Sequence, residues 1–114
     1  MAVTAAGSGT QTATVGTEHT LLSISTAGTF TYHVDLNAMA SGDTLELRIY
    51  QKVLSGGSSR VAYYAMFSNA CPGDDIVQIS VPISNDLTGT TGIAFTLKQT
   101  TGTGRAFPWK VLSY

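Results

Sequence analysis

Asp74 and Asp75 are the nearest this chain comes to a carboxylate pair. Adjacent strand residues point to opposite faces, whereas adjacent loop residues can converge. After Cys71-Pro72-Gly73 the pair therefore reads first as loop solvation and turn capping, and only second as an acid/base or metal-ligating pair. Asp35 and Asp43 could lend further oxygens, but the regularly spaced donors of a calcium loop are missing from the sequence. His19 and His33, close to Thr20 and Asp35, invite a hydrolase reading that no nucleophile-elbow pattern supports. His33, between Tyr32 and Val34, reads as a surface or interfacial hydrogen-bonding residue. Cys71 is the sole cysteine, so an internal disulfide is impossible, and it reads as a loop or half-buried residue. The most distinctive local chemistry is Gly102 to Trp109, GTGRAFPW. Its glycines permit a tight turn, Arg105 can make a directed bidentate contact, and Phe107 with Trp109 can form an aromatic platform for a sugar or a protein. Phe107 and Trp109 equally share one face of an alternating strand and can complete a core. The segment lacks the Lys-Ser or Lys-Thr of a phosphate-binding loop. No catalyst, metal or cofactor is specified by these patterns, and the chain reads as a structural or binding protein.

The elements that must position these residues are strands. From Thr44 to Phe67, Leu45, Leu47 and Ile49 alternate with Glu46, Arg48 and Tyr50, and Val61, Tyr63, Ala65 and Phe67 repeat the same period. The Ser55 to Ser59 connection is too short for a crossover helix, which predicts a hairpin. His19 to Ile24 is a further strand, and Thr29 to Leu36 a stronger one with Phe30, Tyr32, Val34 and Leu36 on one face. A short helical turn is expected at Leu36 to Met39. Ile76 to Ile83 is expected to place Val77, Ile79, Val81 and Ile83 on one face, with Pro82 at an edge or strand end. Strands follow at Ile93 to Leu97 and Phe107 to Tyr114, joined by a polar loop from Lys98 to Arg105. About eight short strands without a long helix predict an all-β fold, an antiparallel β-sandwich or jelly roll. Residues 1–16 read as a flexible arm with a possible edge strand at Thr10 to Val15, and residues 17–114 as a single domain.

A chain of 114 residues holds one domain with a real core. Only 11% of residues are charged, against roughly 25% in soluble domains, so much of the surface is uncharged Ser, Thr and Gly. The net charge of -1 offers no field for a polyanion, which argues against nucleic acid. Apolar runs fall well short of a membrane span, and Met1 to Thr4 lacks the basic start of a secretory signal, as expected of a chain made in the cytosol or already mature. The second face of the hairpin is the informative one. Tyr50, Tyr64 and Met66 lie beside Arg48 and Lys52, more apolar than a solvent face requires. Loops of the same subunit or a second subunit must cover them.

Gly42 to Arg48 (GDTLELR), Lys98 to Thr100 (KQT) and Gly102 to Trp109 together resemble small proteins encoded among tailed-phage structural genes, namely capsid decoration or cement proteins. The resemblance covers roughly Thr17 to Tyr114. It implies a β-sandwich or jelly-roll body, a homotrimer, and a non-enzymatic role on the outer capsid surface of the virion, bound to the major capsid protein and stabilising the shell. In that setting Tyr50, Tyr64 and Met66 would form the oligomer interface, and Arg105, Asp74 and Asp75 would contact the capsid or another partner. The alternative is a tail or fibre module that recognises a surface glycan, with Trp109 or Tyr64 stacking on the sugar. Neither reading calls for a cofactor, a metal, nucleic acid or a membrane.

Overall fold

The computed structural model describes residues 2–54, 56–70, 76–86 and 92–114. Among them are nine strands: β1 (Thr4–Thr12), β2 (Glu18–Ile24), β3 (Gly28–Asp35), β4 (Thr44–Lys52), β5 (Ser59–Ser68), β6 (Val77–Ile79), β7 (Ile83–Asn85), β8 (Ile93–Thr101) and β9 (Ala106–Ser113). All pairings are antiparallel. One sheet runs β1-β9-β3-β6, with β7 also on β3, and the other runs β2-β8-β4-β5. We call these the first and second sheets. The fold is all-β, two antiparallel sheets packed as a sandwich.

The period-two stripes set the core. Phe30, Tyr32 and Val34 of β3 and Phe107 and Val111 of β9 meet Leu45, Leu47 and Ile49 of β4 and Ile93, Phe95 and Leu97 of β8, all buried. Each fully buried side chain of this size contributes roughly 1.5–3 kcal/mol over leaving it in water. The Tyr32 ring meets Phe95 edge-on at 5.5 Å across the two sheets, and its hydroxyl donates to the Thr96 carbonyl at 3.0 Å. Burial pushes the Tyr32 phenol far above its ordinary pKa, so it stays a donor. β1 lies over β2: a Cβ placed on Gly7 would stand 2.9 Å from a Leu22 methyl carbon.

Four expectations are corrected by this arrangement. Within the arm, residues Thr4 to Thr12 form an edge strand along β9, from Thr4↔Ser113 to Thr12↔Ala106. The small Ala, Gly, Ser and Thr side chains carry no amphipathic signal, while their backbone pairs as well as any other. The single strand expected at Ile76 to Ile83 is two short ones. At the break Ser80 donates its N–H to the Tyr32 carbonyl at 2.8 Å and its hydroxyl accepts the Tyr32 N–H at 2.9 Å, taking the place of a ladder carbonyl. The phase flips there, leaving Val77, Ile79 and Val81 exposed and Ile83 buried. The loop expected from Lys98 is strand through Thr101, because Gln99 faces inward and buries its amide. A register shift at Ile49/Tyr50 turns Val61 out to oppose Tyr50. The turn expected at Leu36 to Met39 is present as a Met39 N–H to Leu36 carbonyl bond of 3.1 Å.

One end of the sandwich is fastened around Asp43, which is 1% exposed. Its Oδ2 accepts the Ala40 N–H and Arg105 Nε–H, each at 2.9 Å, and its Oδ1 accepts the Thr103 N–H at 3.2 Å. Its own carbonyl accepts the Asn69 N–H at 2.7 Å. Gln99 completes the end: its side-chain amide donates to the Thr101 and Thr103 carbonyls and accepts the Arg105 N–H. Gly102 (φ 89°) must be glycine, since a Cβ there would collide with the Asp43 carboxylate.

Burial alone pushes the Asp43 carboxyl up, but the Ala40 amide, the Arg105 guanidinium and the Thr103 amide outweigh it and hold the group below its ordinary value. A depressed carboxylate contributes stability that is complete above the unfolded pKa, about 4, and is lost as pH falls through the folded one. Thermal unfolding midpoints should therefore stay level from neutral pH to about 5 and decline below about 4. Asp43→Asn should cost about 2–4 kcal/mol at neutral pH by denaturant titration and should shrink the acid decline to what Glu18 and Glu46, also depressed, supply.

Candidate interaction surface

Strand alternation that buries Leu45, Leu47 and Ile49 sends Glu46, Arg48 and Tyr50 to the outer face of the second sheet. The ladder then decides their neighbours. Glu46 stands between Lys98 of β8 and Met66 of β5, Arg48 between Thr96 and Tyr64, and Tyr50 between Ala94 and Val61. β2 adds Glu18 opposite Lys98 and Thr20 opposite Thr96. Tyr50, Tyr64 and Met66, singled out from sequence, do share this face.

They share it with an internally satisfied polar network. Arg48 pairs with Glu46 at 3.0 Å, and its guanidinium carbon sits 4.9 Å from the centre of the Tyr64 ring, a cation–π contact. The Tyr64 hydroxyl donates to Glu46 Oε2 at 2.9 Å. Glu18 Oε2 accepts both the Tyr50 and Thr96 hydroxyls at 2.7 Å. Partial burial pushes both carboxyls up, but the donated hydrogen bonds and the Arg48 charge prevail, leaving both below the usual glutamate value. The phenols move the other way, Tyr50 through its bond to Glu18 and Tyr64 through its bond to Glu46. The result is two ionised carboxylates and two protonated phenols, with the charges of Glu18 and Glu46 balanced by those of Arg48 and Lys98. Such a face can be covered without stranding an unpaired charge, which is what a protein contact requires of polar groups at its centre.

The other residues read as site candidates lie apart from it. Arg105 is at the sandwich end, its side chain one-third exposed and its Nε committed to Asp43. Asp74 and Asp75 fall outside the described residues. Trp109 faces inward and packs on the core; a Cβ on Gly9 would stand 3.5 Å from its indole nitrogen. That leaves Tyr64, half exposed, as the better placed of the two stacking candidates, with Arg48 already on its ring. His19 accepts the Thr14 N–H at 3.1 Å on the second sheet, and on the first His33 bonds the Thr31 hydroxyl at 2.9 Å. No three His, Cys, Asp or Glu side chains among the described residues converge as metal ligands. Sequence reasoning missed Glu18 and Thr96. Their outward positions follow from strand period, but their meeting with Tyr50 depends on β2, β8 and β4 lying side by side.

The network has a spectroscopic signature. In an ultraviolet titration Tyr50 and Tyr64 should ionise above the ordinary phenol pKa of about 10. Glu46→Gln should bring Tyr64 back towards that value while leaving Tyr50 raised, because Tyr50 is held by Glu18. Equal movement of both would contradict the two-branch geometry.

No family model, curated protein or solved structure matches the chain.

Proposed function

We propose that this chain is a non-enzymatic virion structural protein that works as a homotrimer on the outer capsid surface, bound to the major capsid protein and stabilising the shell. The observation that carries the reading is the outer face of the second sheet, where Tyr64 and Met66 are about half exposed beside charges that already neutralise one another. Together with Tyr50 they form the oligomer contact.

The strand order supports a jelly-roll body. With β6 and β7 taken as one strand interrupted at Ser80, the chain has eight. One sheet then runs first-eighth-third-sixth and the other second-seventh-fourth-fifth, the order that two nested Greek keys generate. The glycan alternative is weaker at Tyr64, whose ring already carries Arg48, and Trp109 offers a sugar only the part of its ring that is not packed against the core.

The test is co-sedimentation with empty shells of the cognate major capsid protein, together with the heat resistance of those shells. The chain should pellet with the shells at saturable stoichiometry and raise their disruption temperature. Tyr64→Asp, which would add a charge beside Glu46, should reduce the solution mass to that of the monomer and weaken shell binding by tenfold or more. Binding to a glycan array with no shell attachment would instead favour a tail or fibre module.

A further inference from the structure

Six of the eleven large apolar side chains exposed among the described residues sit on one flank of the sandwich. Val61, Tyr64 and Met66 are on β5, the outer strand of the second sheet, and Val77, Ile79 and Val81 are on or just after β6, the outer strand of the first. The two strands share a flank because β1 lies over β2 at the opposite edge and both sheets count inward from there. The two strips point in opposite directions. Tyr64 and Met66 face outward from the second sheet and Val77 and Ile79 outward from the first, opposite Asp35 and His33.

We infer that these strips are the two halves of a heterologous interface: the Val77-Ile79-Val81 strip of one copy packs against the Val61-Tyr64-Met66 strip of the next, and the repeat closes into a ring. Only the closure to three subunits rests on the assembly reading above. Two different surfaces that pair head to tail generate rings when the rotation closes.

Area and charge both favour a second copy as the occupant. Each strip leaves about half of three apolar side chains in water, on the order of 250 Å² and close to the few hundred Å² at which apolar patches mark contacts. A stable interface hides about 800 Å² per partner, so each strip is the right size for an apolar centre and needs a polar rim. The rims are electrically balanced. Glu18 and Glu46 face Arg48 and Lys98 on the second sheet, and Asp35 shares the first sheet's outer face with Lys110. With a net charge of only -1 per chain, identical copies meet with little repulsion. Beside Val77 a groove of about 210 Å³, lined also by His33, Asp35, Pro108, Trp109 and Lys110, can receive a side chain such as Met66.

The experiment is light scattering over a concentration series on the wild type, on Ile79→Asp, on Tyr64→Asp and on an equimolar mixture of the two variants. The wild type should reach a mass plateau, and each variant alone should be monomeric. The mixture should form a dimer, because Tyr64→Asp retains an intact first-sheet strip and Ile79→Asp an intact second-sheet strip. A monomeric wild type, a wild type whose plateau is a dimer, an Ile79→Asp variant that still assembles, or a mixture that stays monomeric, would each overturn the proposal. If either Asp variant loses its native circular dichroism, Ile79→Ser and Tyr64→Ser take its place under the same criteria. Shell binding is read separately: a ring that depends on both strips without attaching to shells keeps this interface and removes the decoration role.

Discussion

The buried Asp43 carboxylate is the constraint on which the arrangement of loops depends. A sandwich core is non-directional, and apolar stripes on two sheets can slide against each other at modest cost. A carboxylate in a nearly dry site cannot slide, since each lone pair left without a donor costs kilocalories. Asp43 ties the β3–β4 connection through Ala40, the β8–β9 connection through Thr103 and Arg105, and the end of β5 through Asn69. Gln99 extends the same fastening to the β1–β2 crossover, its carbonyl accepting the Gly16 N–H at 2.8 Å while Arg105 accepts that of Ala13 at 2.8 Å. Every one of these connections passes from one sheet to the other. The cluster therefore sets how the two sheets are stacked as well as how one end is closed.

Fixing that end places Arg105 in a structural role that its position in GTGRAFPW does not disclose. The same logic governs the outer face of the second sheet, where charges are satisfied by neighbours on the same and adjacent strands and not by water alone. Both clusters keep their carboxylates ionised through donated hydrogen bonds. They differ in exposure: Asp43 is sealed, whereas the Glu46 and Arg48 side chains each keep about a fifth of their surface in water beside Met66 and Tyr64. For a largely covered pair the cost of leaving water offsets much of the attraction, so its net contribution to stability is small. Its arrangement makes more sense as preparation for a cover, since pre-paired charges need no new partners when water leaves.

How much of this could be read from sequence follows the range of the interactions. Phe30-Tyr32-Val34, Leu45-Leu47-Ile49 and Ile93-Phe95-Leu97 were legible because period-two patterning is local and burial obeys it. So was the common face of Tyr50, Tyr64 and Met66, given the hairpin. The partner of Arg105 was not, because Asp43 lies 62 positions away and Asp74 and Asp75 were equally plausible by chemistry. The break at Ser80 hid for a different reason. Val77, Ile79, Val81 and Ile83 alternate perfectly, and only a hydroxyl standing in for a backbone carbonyl, with Pro82 unable to donate, reverses the phase. Thr4 to Thr12 was legible only at its end, where an edge strand was expected from Thr10, since a strand of Ala, Gly, Ser and Thr pairs through its backbone and leaves no stripe.

That reversal at Ser80 carries the larger consequence. Had the strand continued in phase, Val77 and Ile79 would be core residues. The flip exposes them, together with Val81, and exposure of three branched or aliphatic side chains is a liability in a chain with so few charges to keep copies apart. The hydroxyl that makes the flip tolerable is itself buried and fully bonded, donating to the Val81 carbonyl at 2.9 Å while accepting the Tyr32 N–H. A well-satisfied device that turns apolar residues outward leaves a free monomer with Val77, Ile79 and Val81 in water. The head-to-tail contact proposed above would cover them with the second apolar strip, on β5 of the next copy.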